Sequence, residues 1–225
     1  MAVGDRIKQR VKTARKRSAA STRWLERQLN DPYVQKAKAE GYRSRAAYKL
    51  IELDERFGFL KGARHVVDLG AAPGGWCQVL VNKHPRARIV AIDLLEMEPL
   101  PNTIVLQMDF LADEAPQALV GALGARADIV LSDMAANTVG HQQTDHLRTM
   151  ALVEAGLQFA TEILADGGTY VAKVLAGGAD KDLVAELKRH FRTVKHAKPP
   201  ASRKDSSEWY VIAQGFKGGA EHASS

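Results

Sequence analysis

A single cysteine, Cys77, is all the thiol that this sequence of 225 residues carries. It excludes an internal disulfide framework and fits a reducing compartment. Cys77 follows Trp76 at the expected start of a helix, where it reads as a small packing residue rather than a catalytic thiol. No apolar run is long enough to span a bilayer, and no hydrophobic signal core follows Met1, so the expectation is a cytoplasmic protein without membrane contact. There is no G-x-G-x-x-G run, which counts against a nicotinamide oxidoreductase. No internal repeat is visible. The hydrophobic content of 45% is enough for one domain with a real core.

Acid is scarce in two places. Between Met1 and Arg45 only Asp5, Glu26, Asp31 and Glu40 oppose a series of lysines and arginines that begins at Arg6. A second basic stretch, Lys188, Arg189, Arg192, Lys195, Lys198, Arg203 and Lys204, contains no acid at all. With a net charge of +6 and a pI of about 9.4, this segregation points to a polyanionic partner. Residues 1–22 are rich in Arg, Lys, Ala and Ser and read as a flexible arm. The same composition suits an organelle transit peptide, and both readings stay open. Residues 23–216 form the expected domain and 217–225 a short tail.

Apolar runs alternate with helical patterns. Strands are expected at Val66–Asp68, Ile89–Asp93, Ile104–Gln107, Ile129–Ser132, Tyr170–Val174 and Trp209–Ala213, with a weaker one at Thr193–His196. Helices are expected at Thr22–Leu29, Ser44–Phe57, Trp76–Asn82, Pro116–Leu123, Arg148–Leu164 and Lys181–Phe191. Asp31-Pro32 reads as a turn, and Asp166-Gly167-Gly168 as a helix-ending turn. The alternation predicts an α/β fold, a parallel sheet with helices on both faces and ligands at the strands' carboxyl ends.

At those ends the chemistry gathers. Val67-Asp68-Leu69-Gly70-Ala71-Ala72-Pro73-Gly74-Gly75-Trp76 is a strand breaking into a tight, uncharged turn and then a helix. An acid at the strand end beside such a turn suits a ligand with a cationic amino-acid part and no phosphate, such as S-adenosylmethionine. Asp93, about twenty residues past the turn, stands where a carboxylate accepts ribose hydroxyls. Asp109 and Asp133 follow the next two strands, Asp109 within reach of an adenine amino group. Capping explains single aspartates, but it does not require four on successive strand ends. Lys173 lies inside an apolar strand, where lysine seldom sits unpaired; burial penalises its ammonium form and favours one that accepts a proton. Glu208 opens the last strand, so Lys173, Asp133 and Glu208 are expected to meet above the sheet.

Five runs resemble, in order, the FtsJ/RrmJ (RlmE) family of ribosomal RNA 2′-O-methyltransferases. They are Arg43 to Leu50, Asp68 to Trp76, Ser132 to Ala135, Val171 to Val174 and Ser206 to Tyr210. The likeness extends from about Ser21 to Gly215. Ala136 departs from it, since bacterial relatives usually carry proline there, whereas Asn137 is retained. The resemblance implies a class I S-adenosylmethionine-dependent methyltransferase, a Rossmann-like and mostly parallel seven-stranded sheet. It implies a catalytic set of Lys49, Asp133, Lys173 and Glu208, cofactor contacts at Asp68, Gly70, Gly74, Gly75, Trp76, Asp93, Asp109 and Asp133, and no metal. It further implies 23S ribosomal RNA as substrate, at the A-loop uridine on the 50S subunit, and a monomer is favoured. Arg43, Arg45, Arg203 and Lys204 flank the catalytic runs and are the candidates for phosphate contacts. Relatives act on transfer RNA or in mitochondria, and a non-catalytic ribosome-assembly module has the same charge pattern; the in-strand lysine speaks against the latter.

Overall fold

Near-continuous Val, Ile and Leu runs make strands that are buried on both faces, and here they assemble into one seven-stranded sheet. The computed structural model describes residues 18–136, 141–175 and 181–218. The strands are β1 (His65–Leu69), β2 (Arg88–Asp93), β3 (Thr103–Gln107), β4 (Ala127–Ser132), β5 (Leu164–Leu175), β6 (Phe191–Ala197) and β7 (Glu208–Phe216). Their order is β3-β2-β1-β4-β5-β7-β6. All neighbours pair in parallel except β7, which runs antiparallel to both β5 and β6. The strand order reverses between β1 and β4, and a crevice opens there at the carboxyl ends.

The helices are α1 (Ala19–Asn30), α2 (Pro32–Glu40), α3 (Ala46–Phe57), α4 (Gly75–Lys83), α5 (Ala115–Leu123), α6 (Gln142–Ile163) and α7 (Lys181–His190). Side chains alternate across each strand, so Val67, Leu69, Val90 and Val130 pack under α5, α6 and α7 with Leu119, Leu157 and Leu187. Val66, Ile89, Ile129 and Val171 pack on the other face with Leu50, Leu53 and Leu80 of α3 and α4. Asp68 shares the α4 face because it lies two residues from Val66.

The sequence-based elements match with four differences. Asp31-Pro32 is the turn between α1 and α2, and it also opens a helix not expected from the sequence: Asp31 caps α2 by accepting from the Tyr33 amide at 3.0 Å, and Pro32 takes the first helical position, where its missing N–H costs nothing. Asp166-Gly167-Gly168 lies inside β5. Pairing jumps from Ala127–Leu164 to Ile129–Thr169, so the triplet is a bulge, with Gly167 at φ 80°. Helix α6 begins at Gln142, ahead of the apolar stripe that announced it at Arg148, because its first turns are polar. Helix α1 begins at Ala19, inside the expected arm, with Ser18 accepting from the Ser21 amide. Residues 1–17, Asn137 and the end of the tail lie outside the described residues. No helix among the described residues is long and apolar enough to cross a membrane.

Candidate active site

The chain leaves β1 through a turn that only glycine accommodates. Gly70 has φ 75°, and a Cβ there would stand 2.9 Å from the backbone of Met134. The turn is tied to β2, since the Gly70 and Ala71 amides both donate to the Ile92 carbonyl. Asp93 completes the tie, its two carboxylate oxygens accepting from the Ala72 and Leu95 amides at 2.9 and 2.8 Å. Gly74 has φ 102° and packs on Arg43 and Met97. A Cβ on Gly75 would run into Ser44 Oγ, so this glycine also lets α3 approach α4. The Trp76 indole N–H locks that contact by donating to the Ala46 carbonyl at 2.8 Å.

Two cavities meet at this turn. The smaller, about 170 Å³, is lined by Lys49, Asp68, Gly70 to Pro73, Gly75, Trp76 and Asp133. The larger, about 420 Å³, is lined by Asp93, Asp109, Phe110, Met134 and Leu152, and shares Gly70, Ala72 and Asp133 with the first. Gly74 lines neither, so its observed contribution is the turn itself. Asp109 is exposed, with one oxygen accepting from the Leu111 amide. Asp68 is buried: Oδ2 accepts from Cys77 Sγ at 3.1 Å, and Oδ1 has no hydrogen-bond partner among the described residues. Burial pushes the Asp68 carboxyl up to about 7; the Cys77 thiol opposes the shift, and the charges of Asp133 and Asp93 add to it.

The expected catalytic residues form a continuous chain of ion pairs across the shared wall. Lys173, on β5, donates from Nζ to the Asp133 carbonyl at 2.6 Å and lies 3.2 Å from Asp133 Oδ1. Lys49, on α3, lies 4.0 Å from Asp133 Oδ2 and 3.1 Å from Glu208 Oε2. Both lysines are buried. Burial pushes the Asp133 carboxyl up, but Lys173, Lys49 and the Tyr210 hydroxyl outweigh it and hold the group below the usual carboxylate range. Tyr210 was absent from the expected set. Its hydroxyl donates to Asp133 Oδ1 at 2.7 Å. The signal was available, because Tyr210 lies two residues beyond Glu208 on one strand and so shares its face.

Two of the four arginine and lysine candidates are committed elsewhere. Arg43 donates to the carbonyls of Pro73, Glu98 and Pro99, clamping the glycine turn to the loop after β2. Arg45 pairs with Asp31 at 3.0 Å and donates to the Ala201 carbonyl, fastening α2 and the β6–β7 loop to the start of α3. Both guanidinium groups have protein partners, and charge alone did not reveal these carbonyl and carboxylate contacts. Arg203 lies 3.5 Å from the same Asp31, and Lys204 is exposed. A third cavity, about 420 Å³ and lined by Gln28, Arg45, Lys49, Arg203, Asp205, Ser206 and Glu208, opens beside the ion-pair chain. Lys198 shapes its rim by donating to the carbonyls of Lys204 and Ser206. Of the second basic stretch, Arg203 lines this cavity and Lys198 braces its rim, whereas Arg189 on α7 pairs with Glu186.

Known proteins resemble this chain in sequence and in fold. The chain is 74% identical over 220 residues to a protein of Rhizorhabdus wittichii named ribosomal RNA large subunit methyltransferase E, covering 98% of this chain and 96% of that one. A protein of the same name from Parvibaculum lavamentivorans is 57% identical over 96% of this chain and 89% of its own. The crystal structure of a ribosomal RNA methyltransferase from Plasmodium falciparum superposes with a TM-score of 0.71 at 34% identity, covering 79% of this chain and 100% of that one. The sequence model described as FtsJ-like methyltransferase matches residues 42–216, which contain every member of the ion-pair chain. The chain belongs to the FtsJ-like methyltransferase family.

Proposed function

We propose that this enzyme transfers a methyl group from S-adenosylmethionine to a ribose 2′-hydroxyl of large-subunit ribosomal RNA, the A-loop uridine of the 50S subunit, as a cytoplasmic monomer. The observation that carries this reading is the chain Lys173–Asp133–Lys49–Glu208, set where the two cavities meet the polar third one. The names of the relatives support the ribosomal substrate.

The pocket fits the cofactor. The unpartnered Asp68 Oδ1 is suited to a cationic amino group, and the small residues Gly70, Ala71 and Ala72 leave space beside it. Asp93 is assigned to the ribose hydroxyls and Asp109 to the adenine amino group, with Trp76 and the Gly74–Gly75 turn shaping the amino-acid end. The cofactor, when bound, supplies an electrophilic sulfonium methyl. A ribose hydroxyl is a poor nucleophile, so a positioned base is needed, a contribution of roughly 10²–10⁴-fold. Lys173 Nζ, in its neutral form, takes the 2′-proton. The Asp133 carbonyl and carboxylate aim that nitrogen, and Tyr210 steadies the carboxylate. Lys49, steadied by Glu208, fixes the ribose or its phosphate. The rest is proximity.

The test is methyl transfer from labelled S-adenosylmethionine to unmodified 50S subunits, naked 23S RNA and transfer RNA, with the modified atom mapped. Label on the A-loop uridine 2′-oxygen in 50S, reduced at least about 10²-fold in Lys173→Ala with folding intact, is the expected result. Label on transfer RNA alone keeps the mechanism and overturns the substrate. Cofactor binding without label on any RNA supports a different acceptor, and absence of cofactor binding supports a non-catalytic module.

A further inference from the structure

Cys77 is buried on the first turn of α4, behind Asp68, which lines the smaller cavity. Its Sγ lies 3.1 Å from Asp68 Oδ2, while Oδ1 of the same carboxylate is buried and has no partner among the described residues. Asp68 is 1% exposed and lines the cavity. One oxygen is therefore held from behind by a thiol, and the other is left for whatever enters.

We infer that Cys77 is a positioning residue for the cofactor's amino group: its S–H donates to Asp68 and holds that carboxylate ionised and oriented for a cationic ligand. The inference rests on the reading of this pocket as the S-adenosylmethionine site. The thiol does not touch the ligand and takes no part in methyl transfer. It acts as a donor, and a donor bound to the charged form of an acid favours that form. Three neighbours bear on the carboxylate. Asp133 and Asp93 oppose its ionisation by their charge, and among the described residues the Cys77 thiol donates the one hydrogen bond that favours it. Arg43, the cation acting on Cys77, is occupied by three backbone carbonyls. With burial already biasing Asp68 toward its protonated form, loss of the thiol leaves fewer molecules with an anion to offer near neutral pH.

The consequence is a pH signature. In Cys77→Ala the carboxylate ionises only at higher pH, so cofactor binding falls below the parent near pH 7 and matches the parent by pH 9, where Asp68 is ionised with or without the thiol. Cys77→Ser keeps a donor in the same place. A cavity-forming or packing effect instead weakens binding at both pH values, because it does not depend on charge.

Two measurements test this on the full chain. The first follows the Asp68 carboxyl resonance by ¹³C NMR across pH in the cofactor-free protein and in both variants. The expected result is a midpoint moved upward in Cys77→Ala and close to the parent in Cys77→Ser. The second measures S-adenosylmethionine binding by calorimetry at pH 7 and pH 9, with KM and kcat alongside. Cys77→Ala is expected to bind about three- to tenfold more weakly at pH 7, the range of one neutral hydrogen bond. The gap closes at pH 9, the rise in KM exceeds any fall in kcat, and Ser restores affinity. An unmoved midpoint in Cys77→Ala, or equal losses in Ala and Ser at both pH values, overturns the inference. If the parent protein binds no S-adenosylmethionine while the midpoint still moves, the functional reading fails and the thiol–carboxylate coupling stands.

Discussion

At the scale of single residues, the two central aspartates differ in opposite directions, and this gives them opposite effects on stability. Asp133 is held below its ordinary value of 3.8 by Lys173, Lys49 and Tyr210 despite its burial. Its contribution is present above about pH 4 and is lost as pH falls further. Asp68 is raised to about 7, so the folded protein binds a proton there that the unfolded chain has released. Between about pH 4 and pH 7 the cofactor-free protein therefore loses stability as pH rises, by on the order of 1.4 kcal/mol per pH unit at most. Asp68→Asn is expected to remove that slope and to unfold at a higher temperature than the parent at pH 8, measured by thermal denaturation without cofactor. It is also expected to bind S-adenosylmethionine at least about tenfold more weakly, because the charge partner is gone. A parent protein whose stability is flat across this window would contradict the account. Lys173 and the strand-end aspartates were legible in the sequence because a charge inside or just past an apolar run stands out. Tyr210 was harder to single out, because a tyrosine in an apolar strand looks like core, and its place two residues beyond Glu208 was the one sign that it faces the site. The partners of Arg43 and Arg45 were not legible for the related reason that sequence shows a charge without showing what it bonds.

At the scale of elements, the site is a junction between the β1–α4 turn, the end of β4 and the start of α3. Gly70 faces Met134, the residue after Asp133, with no room for a methyl group. Gly70→Ala places a side chain at φ 75° and pushes on the β4 end. The expected cost is about 2 kcal/mol or more, read as a lowered melting temperature, together with weakened cofactor binding. Arg43→Ala releases the glycine turn from Glu98 and Pro99. It is expected to reduce cofactor affinity several-fold while leaving the salt dependence of RNA binding at its parent slope; a slope lowered by about one would restore the phosphate contact assigned from sequence. The elements themselves were legible where apolar periodicity was strong. Helix α2 was not, since Pro32 to Glu40 offers one buried side chain, Ala37, and its start resembles a turn. The bulge in β5 was not, since Asp166-Gly167-Gly168 has the composition of a helix stop and only strand pairing distinguishes the two.

At the scale of the whole molecule, the net charge of +6 is not spread evenly, since acid is scarce from Met1 to Arg45. Removing residues 1–17 keeps the Ser18 cap of α1. It is expected to weaken RNA binding and flatten its salt dependence while S-adenosylmethionine affinity stays at the parent value; equal loss of both would make the segment structural. The sheet order carries a different consequence. Strand β6 pairs with β7 alone, and β7, the last strand in the sequence, is inserted between β5 and β6 rather than added at an edge. During synthesis β5 and β6 wait, edges unpaired, until residues 208–216 arrive, and Glu208 and Tyr210 arrive with them. Folding and catalytic competence are thus coupled to the arrival of one strand, and a nascent chain stalled before Glu208 is expected to be both inactive and a template for aggregation.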